Sequence, residues 1–312
     1  MTCPEIRFKS QVSSLKSRVS SVGWRAALAS ILNFRPGTLD LRLSAARGFT
    51  LVEMIIVIAI TGVLGAAVAV FIRRPVESYV DAARRGELSD IADTALRRIT
   101  RDLRTALPNS IRIDGTGRYI EFLQTSVGGR YRAAAPGDIL DFTVADTTFD
   151  LLGSGITIPA TGAPDGNQIV VYNLGIAGAD AYEGNTLSTH VRRAYAGATG
   201  SNVTNISITS GNRLPFESPG KRFHVVSTPV TYYCDLGTGV LRRYWNYAIA
   251  VAQPTPPGGS NAVLARNITG CSFTYTASGA TARTGIVALT LLVSQGGETA
   301  RLFQQAHVNN VP

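Results

Sequence analysis

The longest apolar stretch of the chain runs from Phe49 to Ile72, and Glu53 is its only charged residue. A helix of these 24 residues rises about 1.5 Å per residue, enough to cross the roughly 30 Å hydrocarbon core of a bilayer. The pattern therefore predicts a membrane-spanning helix over 49–72. A carboxylate in such a helix is unfavourable unless it has a partner, and no Lys or Arg lies within the stretch. Glu53 is thus a candidate functional residue.

A helical rhythm continues beyond the apolar stretch. Apolar residues recur every three or four positions up to Ala106, and most charged residues fall on other faces. Pro108 ends the pattern, and Pro75 permits a kink between the two halves. The sequence predicts one long helix over 49–107, with an apolar stripe on its second half for a globular domain to cover.

Residues 108–312 carry the pattern of strands. Runs of β-branched and aromatic residues alternate with turn residues, and Gly237–Gly239 and Gly296–Gly297 are typical of hairpin connections. Residues 196–212 and 253–260 are expected to be a flexible insertion and a loop. The predicted strands are Ile111–Ile113, Arg118–Leu123, Ile139–Val144, Asn167–Tyr172, Phe223–Val226, Val230–Cys234, Val240–Trp245, Ser272–Tyr275 and Ile286–Val293.

A long helix followed only by strands predicts the α+β class. The expected architecture is a long N-terminal helix, transmembrane in its first half, packed on a C-terminal antiparallel β-sheet domain. That domain is expected over 108–312, a length that can bury a substantial core.

The positive charge is concentrated before the helix. Residues 1–48 hold eight Lys or Arg against Glu5 and Asp40, a net charge of +6 out of the whole-chain +9. The high pI therefore belongs largely to this leader and is no argument for nucleic-acid binding. Basic residues before a span orient its N-terminus toward the cytoplasm, which places 108–312 on the other side. Met1 and Met54 are the only methionines, so a later non-AUG start is an alternative that would make residues 1 to about 38 an artefact.

The segment Arg-Gly-Phe-Thr-Leu-Val-Glu at 47–53 resembles the class III signal of type IV pilins and pseudopilins. The resemblance implies that a prepilin peptidase removes leader 1–48 by cutting after Gly48 and that the new amine of Phe49 is N-methylated. It also implies that the helices then pack in a filament core. Since cleavage creates an α-amino group at Phe49, we expect a neighbouring subunit to present that amine to Glu53. Two alternatives are a plain membrane anchor and a secretory signal, since Ala67–Ala69 fits a small-x-small cleavage site.

Residues 96–110, 216–247 and 304–312 further resemble minor pilins of the mannose-sensitive haemagglutinin (MSHA) pilus. That resemblance implies a low-abundance inner-membrane subunit with a periplasmic domain. Such a subunit primes or caps pilus assembly with other minor and major pilins and an ATPase-driven assembly platform. The nearest alternative is a J-type pseudopilin of type II secretion. Another is a binding module at the pilus tip, with a sugar platform built from Tyr232, Tyr233, Tyr244, Trp245 and Tyr247.

The cysteines agree with an extracytoplasmic domain. Cys3 lies in the leader, so cleavage leaves Cys234 and Cys271 as a pair in a compartment where disulfides persist. A disulfide between them is predicted, tying the strand at Leu241–Tyr247 to the strand at Phe273–Tyr275. Two separate free thiols are the alternative.

Candidate chemistry is sparse, and no enzymatic activity, cofactor or metal is predicted. His190, His224 and His307 lack metal-binding or nucleophile-activating spacing, and no Cys-x-x-Cys motif offers a zinc site. Four aspartates at 138, 141, 146 and 150 suggest calcium but lack the glycine of an EF-hand loop, so they are interpreted as loop carboxylates.

The arginine run from Arg97 to Arg104 is open to two interpretations. It is either a phosphate or lipid patch or a solvated or subunit-facing helix surface. Asp93 and Asp102 interleave with it, and no aromatic stacking platform accompanies it, which favours the second interpretation.

Overall fold

The computed structural model describes residues 48–183, 190–209, 211, 213–277 and 283–312. The expectations for the leader at 1–47 lie outside these residues. The chain divides into two compact units, Met1–Val68 and Ala69–Pro312. Helix α1, Leu51–Leu103, is 53 residues long and begins in the first unit and ends in the second.

The remaining regular elements of the described chain are strands, all in the second unit. Their bounds are β1 Arg112–Ile113, β2 Tyr119–Arg130, β3 Thr148–Asp150, β4 Ile156–Ile158, β5 Gln168–Val170, β6 Arg192–Ala194, β7 Gly200–Val203, β8 Asn205–Ser207, β9 Arg222–Asp235, β10 Val240–Trp245, β11 Ser260–Arg266, β12 Ile268–Ala277, β13 Thr284–Gln295 and β14 Glu298–Asn309.

The strands form two main sheets and two small ladders. The larger sheet has seven strands, in the order β1-β2-β9-β10-β11, with β5 beside β9 and β6 beside β5. The second sheet is the antiparallel meander β12-β13-β14, and the pairs β3–β8 and β4–β7 are separate. Every pairing among the described strands is antiparallel, so the predicted α+β class is confirmed.

One hydrophobic core joins the C-terminal part of α1 to both main sheets. The helix contributes a fully buried stripe at the spacing of one helix face. The seven-stranded sheet contributes residues such as Phe122 and Tyr232, and the three-stranded sheet contributes residues such as Phe273 and Leu289. The buried helix residues are Leu88, Ala92, Ala95, Leu96, Ile99 and Leu103.

The helix ends four residues earlier than its periodicity predicts. After Leu103 the amides of Thr105 and Ala106 bond to the carbonyls of Asp102 and Leu103, and the amide of Leu107 bonds to the carbonyl of Leu123 in β2. The chain thus leaves the helix through a tight turn because its backbone pairs with the sheet, and Pro108 could not have continued the helical bonding.

Two strand assignments differ from the sequence pattern. Ile139–Val144 forms a turn rather than a strand, because the Asp141 carboxylate accepts the Thr143 amide at 2.7 Å and Asp146 accepts the Asp141 amide at 2.8 Å. Residues 196–212 contain β7 and β8, where Ile206 is fully buried. Tertiary pairing with β3 and β4 therefore orders a segment whose composition predicts flexibility.

The glycine hairpins form as predicted. Gly237–Gly239 connects β9 to β10, and Gly296–Gly297 connects β13 to β14. Gly296 and Gly297 have φ of 59° and 88°, the left-handed pair that a two-residue hairpin requires. The strand that follows, β14, was not among the predicted strands.

Candidate functional site

The predicted processing junction lies just before α1. Gly48, Phe49 and Thr50 are not helical, and Phe49 is 77% exposed. A Cβ added to Gly48 would meet no described atom within 4 Å. Packing within the described residues therefore does not require a glycine at this position.

Thr50 and Glu53 form the N-terminal cap of α1. The Thr50 hydroxyl accepts the Glu53 amide at 3.3 Å, and the Thr50 carbonyl accepts the Met54 amide at 3.1 Å. Threonine at the N-cap with glutamate three residues later is the capping-box pattern. A carboxylate in the first turn also interacts favourably with the partial positive charge of the helix N-terminus. Glu53 thus takes part in capping the helix. The sequence analysis did not predict this role, although the Thr-x-x-Glu pattern at 50–53 indicates it.

No cation in the described part of the chain forms an ion pair with Glu53. The residues around it are apolar and exposed from Leu51 through Ile72. None of this apolar stretch is buried, and by length and composition the helix could cross a membrane. The helix dipole compensates the Glu53 charge only partly, and the carboxylate accepts no hydrogen bond from the described residues.

Cys234 and Cys271 are bonded, as predicted, with sulfurs 2.04 Å apart and Cα atoms 6.5 Å apart. Cys234 is fully buried on β9, and Cys271 lies on β12. The bond therefore links the seven-stranded sheet to the three-stranded sheet. The prediction that it would join the Leu241–Tyr247 strand was wrong by one strand, because that segment, β10, is the neighbour of β9.

A buried carboxylate holds the C-terminal end of α1 to the larger sheet. Asp102 is 5% exposed, and its Oδ2 accepts the Tyr232 hydroxyl at 2.8 Å and Nε of Arg243 at 2.9 Å. Nε of Arg98 lies 3.2 Å from Oδ1. Two arginines and a tyrosine thus satisfy one carboxylate, the arrangement that a buried charge requires. The sequence indicated only that Asp102 interleaves with the arginine run.

A second buried carboxylate lies on β2. Glu121 is fully buried and accepts Nη2 of Arg112 at 2.8 Å. The Arg112 guanidinium also lies 3.6 Å from the centroid of the Tyr182 ring. Burial raises the pKa of Glu121 to about 7, and the nearby Arg112 charge only partly opposes this shift. Sequence reasoning did not identify this cluster, since its members are up to 70 positions apart.

The aromatic residues proposed as a sugar platform do not share one exposed surface. Tyr232 and Tyr247 are buried, and the Tyr233 ring stacks on Tyr119 with centroids 4.0 Å apart. Trp245 is half-buried, and the guanidinium of Arg243 lies 5.1 Å from the centroid of its ring. The tryptophan therefore belongs to the surroundings of the arginine run, to which the sequence assigned no aromatic neighbour.

The histidines and aspartates do not converge on a metal-binding group within the described ranges. His224 is half-buried on β9, where partial burial lowers its pKa to about 4, and His307 is exposed on β14. His190 contacts the backbone carbonyls of Arg192 and Glu183. Asp138, Asp141, Asp146 and Asp150 lie in turns or on a short strand, and among them Asp141, Asp146 and Asp150 accept backbone amides.

Comparison with known proteins bears on the N-terminal segment. Residues 43–69 match the family model of the prokaryotic N-terminal methylation motif. The motif indicates a type IV pilin-like protein, and its signal implies processing by a prepilin peptidase and assembly with other pilins. Together with the apolar first half of α1 it indicates a membrane-anchored chain. Searches of curated proteins and of solved structures found no match.

Removing the disulfide should destabilise the second unit. For a sequence separation of 37, the chain-entropy model gives an upper figure of about 4 kcal/mol, and we expect the double variant C234A/C271A to lose about 2–4 kcal/mol of unfolding free energy. Denaturant titration of the full chain in detergent measures the change, with Cys3→Ala as the control. Equal unfolding free energies for oxidised and reduced wild-type protein would contradict the prediction.

Glu121 should make stability depend on pH. Its pKa is 4.5 in the unfolded chain and about 7 in the fold, so the folded state binds the proton more tightly. The stabilisation is therefore complete below pH 4.5 and is lost as the pH rises to about 7. Relative to Glu121→Gln, the unfolding free energy of the wild type should fall by on the order of 1–3 kcal/mol across this window.

Glu298→Gln is the control for that titration. Arg85 lowers the pKa of Glu298, so its contribution is lost only as the pH falls below the ordinary range of a glutamate. A difference between wild type and Glu121→Gln that stays constant from pH 4.5 to 7 would show that Glu121 does not titrate in this window.

Proposed function

We propose that this chain is a minor pilin that takes part in the initiation or tip complex of a type IV pilus, of the MSHA type and most like an MshO-type subunit. The observation that carries the proposal is the junction Gly48-Phe49, placed directly before the helix at the start of an exposed apolar stretch, 49–72, whose only charged residue is Glu53. A plain membrane anchor requires neither the Gly48-Phe49 junction nor a carboxylate at Glu53. The folded second unit is then the part that a filament would display.

Processing and orientation follow from the same segment. The leader 1–48 carries a net charge of +6, which favours retention of the N-terminus in the cytoplasm and places the domain at 108–312 in the periplasm. Prepilin peptidase would cut after Gly48 and methylate Phe49. Since the fold does not need a glycine at position 48, recognition by the peptidase is the better reason for its presence.

Glu53 is proposed as an assembly residue. In a hydrocarbon environment an unpaired carboxylate is unfavourable, whereas a protonated amine beside it makes a short, strong hydrogen bond. The amine of Phe49 from a neighbouring subunit can supply that partner after a small axial offset between two parallel helices. The capping bond to Thr50 uses the Glu53 amide, so the carboxylate remains free for the neighbour.

The same processing signal is also compatible with two alternative functions. A J-type pseudopilin of type II secretion would be processed in the same way and would differ in the system that employs it. A tip-displayed binding module would add a ligand to the second unit, and the half-buried Trp245 beside the arginine run is the observation that favours some binding role there.

Blocking the junction tests processing. In membranes that contain a prepilin peptidase, the wild-type chain should yield a mature N-terminus at an N-methylated Phe49. Gly48→Val should abolish the cut, because a branched side chain replaces the residue that precedes the scissile bond. N-terminal sequencing and mass spectrometry measure both results, with Ala66→Val as a control inside the helix. A cut after Ala69, or an uncut wild-type chain, would contradict the pilin proposal.

Changing Glu53 tests assembly. Glu53→Gln keeps a polar side chain in the first turn but removes the charge, so crosslinked recovery with partner pilins should fall several-fold while membrane insertion is kept. Glu53→Leu should lower recovery further and insert at least as well. Recovery from membranes and the number of pili per cell are the measurements.

Thr61→Val is the matched control for both Glu53 variants. Its hydroxyl bonds only to the Val57 carbonyl of the same helix, so its loss removes a polar group without removing a charge. Normal association and piliation in Glu53→Leu would show that the carboxylate is not an assembly residue.

A further inference from the structure

A cleft of about 930 Å³ lies in the second unit, between the C-terminal part of α1 and the strands β10 and β11. Helix residues from Thr94 to Arg104 form one wall. Arg243 and Trp245 of β10, residues 262–264 of β11 and Gln304 of β14 complete it. The proposed membrane role of the first helix half makes no use of this cleft.

The cleft is strongly basic. Five arginines line it, and only some of their charge is compensated: Arg97 pairs with Asp93 at 2.6 Å, while Arg98 and Arg243 share Asp102. Arg101 and Arg104 are exposed and have no carboxylate partner in the described part of the chain. Arg97 and Arg101 share a helix face because they are four residues apart, and Arg104, in the turn that follows α1, lines the same cleft.

Two further features indicate a site for a polar ligand. Thr100 lines the cleft and is 6% exposed, yet its hydroxyl has no hydrogen-bond partner among the described residues. Trp245 offers an apolar surface already in contact with the Arg243 guanidinium. A carboxylate with an apolar neighbour would match this combination of a buried donor, free guanidinium groups and an indole ring.

The wall formed by β11 is the edge of a sheet. Within the described residues β11 pairs only with β10, so its other side presents unpaired backbone amides and carbonyls. A proline in an edge strand would hinder pairing with another strand, but Ser260–Arg266 contains none. Ala262 and Val263, beside the cleft, are exposed. An extended segment can add to an edge of this kind by backbone pairing.

We propose that this cleft binds an extended acidic polypeptide segment of another protein. The segment would add as a strand to the free edge of β11 and place its carboxylates on Arg101 and Arg104. A phosphate or a lipid headgroup would meet the arginines but has no backbone to pair with the strand edge. Arg97 also lies about 38 Å along the helix beyond Ile72, where the long apolar stretch ends. The arginines are therefore far from the level at which a lipid headgroup would lie.

Binding of synthetic peptides to the full chain in neutral detergent tests this proposal. The probe is a fluorescent octapeptide of alternating Asp and Val, in which one face of the strand carries all the carboxylates. A second peptide of Asn and Val is neutral. A third of Asp and Pro keeps the charge but loses half of the backbone donors. Anisotropy is measured at low ionic strength, because salt screens exposed charges.

The Asp-Val peptide should bind, and both other peptides should bind at least about fivefold more weakly. The double variant R101Q/R104Q should weaken Asp-Val binding by about fivefold to tenfold. Both side chains are exposed and make no hydrogen bond or ion pair with the described residues, so the variant should remain folded. Arg301→Gln is the matched control, because Arg301 is an exposed arginine of β14 whose side chain alternates away from Gln304.

Three results would overturn the inference: no binding of the Asp-Val peptide, equal binding to wild type and to the double variant, or displacement by inorganic phosphate as effective as by the peptide. Equal affinity for the Asp-Pro peptide would refute strand addition. The inference does not rest on the proposed assembly role, since the measurement uses an isolated chain. Failure here leaves the processing and Glu53 experiments unaffected.

Discussion

The buried stripe of α1 from Leu88 to Leu103 is the contact on which the second unit depends. Its side chains share one core with the inner faces of the seven-stranded and three-stranded sheets. These two sheets have no strand pairing with each other in the described part of the chain. The helix therefore completes a core that neither sheet closes alone, and the disulfide between β9 and β12 adds a covalent link between the same two sheets.

The position of the stripe decides where the polar groups of the helix must go. Asp102 lies at the buried end, and it is tolerated there because Tyr232 and Arg243 reach it from the sheet. These bonds fix the last turn of the helix against β9 and β10. The arginines at 101 and 104 consequently remain outside the core, where they give the cleft its charge.

The earlier part of the same helix has no such cover. From Leu51 to Ile72 its side chains are exposed, and its hydropathy suits lipid or the apolar faces of other helices. A single carboxylate in this environment is compensated partly by the partial positive charge of the helix N-terminus. The remaining negative charge of Glu53 is the basis for proposing that the amine of a neighbouring subunit pairs with it.

The sequence alone determined the helix, the α+β class, the processing signal, the glycine hairpins and the cysteine pair. Each depends on consecutive residues, on a short motif or on the two cysteines that lie outside the leader. Tertiary structure decided that Ile139–Val144 is a turn, that β14 continues the meander, that Trp245 joins the arginines and that Glu121 is buried. These outcomes depend on residues far apart in the chain, because burial and backbone pairing are settled by which surfaces meet. Local periodicity does not contain that information.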